Sequence, residues 1–144
     1  MSEKTIMVVD DVASNRMLLR MVLEEEYTII ECESGAECLK NVQQKKPDII
    51  LLDIKMPKMT GYEVCTKLRA QEVTSTLPII FVSAMDDVEE YLTGFEVGCN
   101  EYITKPIDTE DLVKKILQQL ENHKENEQVK ENAGQVMKDA VAVK

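Results

Sequence analysis

Residues 47–61 read PDIILLDIKMPKMTG, and this stretch decides the fold. Pro47 and Asp48 break whatever precedes them. Ile49, Ile50, Leu51 and Leu52 then run unbroken, the pattern of a strand buried on both faces, as in a parallel sheet. The run stops at Asp53. Ligands of open α/β sheets bind outside the carboxyl ends of the strands, so a carboxylate here stands where chemistry would take place. A strand-end Asp is also ordinary turn chemistry, and alone it carries little. Pro57 and Gly61 then set a loop, and Thr60 with Glu63 forms a T-x-x-E capping box for the next helix.

Working outward, TIMVVD at 5–10 is a second apolar run, and it ends in Asp10 and Asp11. Ser14 reads as the cap of a helix on which Met17, Leu18, Met21 and Val22 fall at helical spacing. Residues 27–32 form a more polar strand, expected nearer an edge. Ser34 and Glu37 make another capping box, for a helix running to about Lys45. Past the central strand, the Thr60 helix turns Val64 and Leu68 inward and stops near Glu72. LPIIFV at 77–82 is a fourth strand, followed by Ser83. Asp86 or Asp87 caps a helix with Val88, Leu92 and Phe95 as its inward residues, closed by Gly98. A short strand at 101–104 leads into Lys105-Pro106. Asp108 and Asp111 cap a last helix marked by Leu112, Ile116 and Leu120. Strands and helices alternate strictly, five of each. The expectation is an α/β chain forming a single doubly wound domain on a parallel five-stranded sheet, for which 2-1-3-4-5 is a common order.

The 144 residues suit one domain, and their net charge of −10 argues against nucleic-acid binding by this chain alone. No apolar run is long enough to span a bilayer. No signal-peptide pattern opens the chain, so a cytoplasmic location is expected. Cys32, Cys38, Cys65 and Cys99 lack metal-ligand spacing, and the sole histidine, His123, is far from all of them. They read as reduced, buried thiols.

The polar residues past the strand ends converge. Strand one delivers Asp10 and Asp11, strand three Asp53, strand four Ser83 and strand five Lys105. A parallel sheet lines them along one edge. Clustered carboxylates raise one another's pKa unless a cation neutralises them. Oxygen ligands alone favour a hard ion, and Mg²⁺ takes one or two carboxylates while keeping waters for a phosphate. A lysine and a hydroxyl beside it make a cradle for phosphoryl oxygens. No Ser, Thr or Cys is accompanied by a base, so the nucleophile at the centre is a carboxylate and the implied chemistry an aspartyl phosphate.

VVDD at 8–11, LLDIKMPKMTG at 51–61, VSA at 82–84 and YITKP at 102–106, in this order and spacing, resemble the receiver domain of two-component response regulators. The resemblance runs from about Thr5 to Leu120. It implies the flavodoxin-like fold, with a receiver over 1–122 and a polar extension over 123–144. It also implies a cytoplasmic phosphoprotein of a signalling relay. Asp53 would accept the phosphoryl group from a sensor histidine kinase or phosphotransfer protein. Asp10, Asp11, Asp53 and the Lys55 backbone carbonyl would hold Mg²⁺. Ser83 and Lys105 would bind the phosphate, Lys105-Pro106 would be cis, and Ser83 with Tyr102 would form the switch, the ring moving inward on phosphorylation. The face of the fourth helix, fifth strand and fifth helix would then engage a downstream protein or output domain.

Cys99 and Asn100 stand where the family often has Ala and Asp, and are expected to affect packing only. Lys55 and Met85 flank the site without an acid or amide to orient water, which predicts a long-lived phosphoryl group. In the extension, Val129, Ala133, Val136, Ala140 and Val143 recur at spacings of four and three, interrupted by Gly134. This short seam reads as a solvated helix, a dimer contact or the lead into an output domain. Two other functions compete with this one. A Mg²⁺-dependent phosphohydrolase would need a D-x-D loop, and position 55 is Lys, so no enzyme acting on an outside substrate is expected. A phosphorylation-independent docking module would more naturally lack some of the polar cluster.

Overall fold

The computed structural model describes residues 3–84 and 87–124. Its elements are β1 (Thr5–Val9), α1 (Ala13–Leu23), β2 (Thr28–Cys32), α2 (Gly35–Lys45), β3 (Ile49–Leu52), α3 (Gly61–Arg69), β4 (Ile79–Ser83), α4 (Val88–Glu96) and β5 (Glu101–Thr104). The chain is helical again over 109–124, here α5. All strand pairs are parallel, in the order β2-β1-β3-β4-β5, and the more polar β2 does lie at an edge. Met85, Asp86 and the valine-alanine seam beyond Lys124 fall outside the described residues.

Alternate residues of each strand face opposite layers. Met7, Val9, Ile50, Leu52, Ile79 and Phe81 pack with Cys38 and Val42 of α2 and Val64 and Leu68 of α3. Ile6, Val8, Ile49, Leu51, Ile80 and Val82 pack with Leu19 and Leu23 of α1 and Leu112 and Ile116 of α5. Each such aliphatic side chain contributes about 1.5–3 kcal/mol on burial. The central apolar run is thus shared between two cores, which is why it shows no alternation.

Ser34 caps α2 by accepting from Glu37 N at 3.1 Å, and Thr60 caps α3 from Glu63 N at 3.3 Å. Asp87 caps α4, and Asp108 takes the amides of Glu110 and Asp111 at the start of α5. Asp111 itself lies within that helix and pairs with Lys115.

The helix starts and faces differ from expectation in particular places. Ser14 lies inside α1, whose N-cap is Val12 without a side-chain cap; the Asp10 carboxylate takes the Val12 amide instead. The stripe of Met17, Leu18 and Met21 is exposed, and Leu19 and Leu23 face the sheet. More apolar positions are present than one helix face holds, and period alone does not choose between adjacent stripes. On α4, Val88, Leu92 and Phe95 are exposed while Gly94 is buried. A Cβ on Gly94 would meet the Phe81 ring at 3.1 Å, so the helix backbone lies close against the sheet and its large residues turn outward.

The helix α3 stops at Arg69, short of the expected Glu72, and a single 3-10 turn follows at Glu72–Thr74. Arg69 then donates to the carbonyls of Gly98 (2.9 Å) and Thr74 (3.1 Å) and to Asn100 Oδ1 (2.8 Å). Asn100 Oδ1 also takes the Ile79 amide at 2.8 Å, so its work is to tie the start of β4 to the α4–β5 turn. The four cysteines are free and buried, and burial pushes their thiols up to about 11 or 12. Among the described residues no helix is long and apolar enough to cross a membrane.

Candidate functional site

The carboxyl edge of the sheet gathers the polar residues. Asp10 leaves β1 with its amide donating to Cys32 O at 3.1 Å, and Asp53 leaves β3 with its amide donating to Val9 O at 2.9 Å. The ladder therefore carries on into the site and fixes both backbones. Asp10, Asp53 and Ser83 are buried, and Asp11 is exposed. Asp10, Asp11 and Asp53 each offer a carboxylate oxygen, all within 4.8 Å of one another.

Lys105 closes the group from β5. Its amide donates to Ser83 O at 2.8 Å, and the peptide to Pro106 is cis. Its ammonium lies 3.1 Å from Asp10 Oδ2 and 3.7 Å from Asp53 Oδ1. Burial raises the Asp53 pKa to about 6; the neighbouring Asp10 charge pushes the same way and Lys105 opposes both. One lysine among three carboxylates leaves net negative charge in a partly dry place, and an all-oxygen donor set of this kind fits Mg²⁺.

The loop after Asp53 is held tightly. Gly61 N donates to Ile54 O at 2.8 Å, and a Cβ on Gly61 would overlap the Asp53 carbonyl. Only glycine permits this approach of α3 to the end of β3. Lys55 is exposed in this loop. Tyr102 is buried, with its ring centroid 6.3 Å from Phe81 and 5.6 Å from Tyr91 of α4. Its ring packs between the sheet and α4 through these two contacts.

Residues that the sequence did not single out complete the surroundings. Asn15 Nδ2 donates to Asp10 Oδ2 at 3.2 Å. Arg16 Nη1 donates to the Asp10 carbonyl at 2.7 Å and its Nε to Glu31 at 3.1 Å. Asn15 and Arg16 follow Asp10 closely enough to be suspected, but nothing in the sequence pairs Arg16 with a glutamate on β2. A cavity of about 290 Å³ opens beside Asp10, between Asn15, Leu18, Lys105 and Ile107.

The family model for the response regulator receiver domain matches residues 6–117. The chain belongs to the response-regulator receiver family. Among curated proteins this receiver is similar to the alkaline phosphatase synthesis transcriptional regulatory protein PhoP of Bacillus subtilis, 39% identical over 82% of the chain and 50% of that protein. It is similar also to the probable transcriptional regulator ycf27 of Porphyridium aerugineum, 38% identical over 81% of the chain and 48% of the relative. The chain thus spans about half the length of these relatives. Among solved structures, a putative response regulator from Chloroflexus aurantiacus superposes with a TM-score of 0.80 at 32% identity, covering 83% of this chain and 98% of the other. The protein is a receiver of two-component signalling.

Proposed function

We propose that Asp53 is the phosphoacceptor of this receiver and takes its phosphoryl group from the phosphohistidine of a sensor kinase or phosphotransfer protein. The observation that carries the reading is the meeting of Asp10, Asp11 and Asp53 at one point, with the Lys105 ammonium against two of them. A carboxylate oxygen of Asp53 attacks phosphorus, the P–N bond breaks, and the imidazole nitrogen keeps the electron pair and takes a proton. Asp10, Asp11, Asp53 and the Lys55 carbonyl are the residues that would hold Mg²⁺. When bound, the ion supplies positive charge against the phosphoryl oxygens and the carboxylate cluster. Lys105 and the Ser83 hydroxyl hold the remaining phosphoryl oxygens in place, which is most of what phosphoryl transfer asks of a protein.

The signal leaves through α4, β5 and α5. Ser83 and Tyr102 sit on adjacent strands, and Tyr91 links the Tyr102 ring to α4. Drawing Ser83 toward a phosphate repacks these rings and shifts the population of α4 positions. The exposed Val88, Leu92 and Phe95 give that face an apolar surface for a downstream protein, an output domain or a second copy. The protein's own chemistry is limited to phosphoryl uptake and slow hydrolysis, with no outside substrate turned over. Buried free thiols and acidic charge suit the cytoplasm.

Intact mass after incubation with Mg²⁺ and acetyl phosphate tests the acceptor. The expected result is a single phosphoryl adduct on the native chain and none on Asp53→Asn. No adduct on a folded native chain would favour the docking-module reading and refute this one.

A further inference from the structure

Asp10 is gripped from two sides by consecutive residues of the first turns of α1. Asn15 bonds its carboxylate, and Arg16 bonds its backbone carbonyl at 2.7 Å. Arg16 is in turn anchored across the layer by Glu31 on β2, at 3.1 Å, and its side chain is only 13% exposed. Arg20, one turn along, holds the other Glu31 oxygen at 2.7 Å and reaches the Ile29 carbonyl. These two guanidiniums hold the Glu31 carboxyl below its usual range, the Arg20 hydrogen bond most strongly.

This arrangement has a cost that needs a reason. A guanidinium near a helix N-terminus opposes the helix dipole, and α1 carries no acid in its first turn to offset it. It also lacks a side-chain cap, so its start depends on Asp10, the residue Arg16 holds. The carbonyl of Asp10 is the last backbone atom before the exposed Asp11, with no ladder partner beyond it. Fixing that carbonyl fixes the rotation of the peptide plane that joins the paired acids, Asp10 and Asp11.

We infer that Arg16, anchored by Glu31, is a positioning residue that holds the β1–α1 loop in the geometry in which Asp10 and Asp11 bind the divalent cation. The ion requires near-octahedral oxygen geometry, and a loop held by one planar fork between two fixed acceptors is aimed before the ion arrives. Lysine keeps the charge but cannot bond the Asp10 carbonyl and Glu31 together in one plane. The inference rests on the reading of Asp10 as a cation ligand.

The test is Mn²⁺ affinity of the full chain, read by electron paramagnetic resonance of the free ion, for native protein, Arg16→Lys, Glu31→Gln and Asp10→Asn. Thermal melting establishes that each variant is folded. Arg16→Lys and Glu31→Gln are expected to weaken Mn²⁺ binding about tenfold, the usual consequence of losing a group that orients a ligand. Their double variant should lose no more than about twofold beyond either single, because both act through one link. The acetyl-phosphate reaction should show a raised half-saturating Mg²⁺ concentration with its maximal rate recovered at high Mg²⁺. Unchanged Mn²⁺ affinity in folded Arg16→Lys and Glu31→Gln, with Asp10→Asn crippled, overturns this inference alone. Unchanged affinity in Asp10→Asn overturns the reading of the site beneath it. Fully additive losses in the double variant also overturn the link, since Arg16 and Glu31 would then act separately.

Discussion

Replacing Asp53 by Asn should stabilise the cation-free protein, and the gain should depend on pH. The buried carboxyl has its pKa raised from 3.8 to about 6 by burial and by Asp10, against the opposing pull of Lys105. Between these values the folded state binds more protons than the unfolded chain. Stability conferred by the protonated form is therefore present at low pH and lost as pH rises through about 6. At about 1.36 kcal/mol per pKa unit, ionised Asp53 costs the fold about 3 kcal/mol at pH 8 and about 1 kcal/mol at pH 4.5. Asparagine, neutral throughout and of similar shape, removes that cost. Urea unfolding of both proteins in EDTA, across this pH range, measures the difference directly. Mg²⁺ should narrow it, because the folded native chain, with every carboxylate of the cluster, binds the ion more tightly than a variant that has lost one. A difference that is flat with pH, or an Asn variant less stable at pH 8, would falsify the electrostatic account of the site.

Other outcomes follow from particular contacts. Asn100→Ala strands the Ile79 amide and removes an Arg69 partner, and should cost about 1–3 kcal/mol in urea unfolding; under about 0.5 kcal/mol would show that the tie is idle. Gly61→Ala drives a methyl into the Asp53 carbonyl and should both lower the melting temperature and slow phosphoryl uptake, whereas an unchanged uptake rate would separate the loop from the site. Met21→Gln on the exposed stripe of α1 should change stability by less than about 0.5 kcal/mol, while Leu23→Ala costs about 2–5 kcal/mol; similar losses for the two would reverse the assignment of the helix faces. The phosphoryl group on Asp53 should persist for minutes or longer in Mg²⁺ buffer, as Lys55 supplies no general base; loss within seconds refutes this.

The strands were legible because a sheet covered on both sides demands near-continuous apolar runs, and Ile49 to Leu52 is such a run. Asp10, Asp53 and Ser83 were legible because each directly follows one, and Lys105 because it follows the last, shorter strand. The helix faces were less so. Leu18 and Leu19 are equally apolar, and only the docking of α1 on the sheet decides which is buried. On α4 the deciding residue is Gly94, which has no side chain to show a preference. Arg16 and Glu31 could not be paired from sequence, since contacts across an αβ layer leave no periodic trace.

Lys105 meets Asp10 across 95 positions of sequence, through strands that lie apart along the chain. Asp53 lies 52 positions before Lys105, and the ammonium that balances it follows the last strand of the sheet. The site is therefore long-range by construction: its charge balance is set by tertiary structure and not by any local segment, and whatever loosens β5 from β4 unbalances the carboxylates of β1 and β3 together.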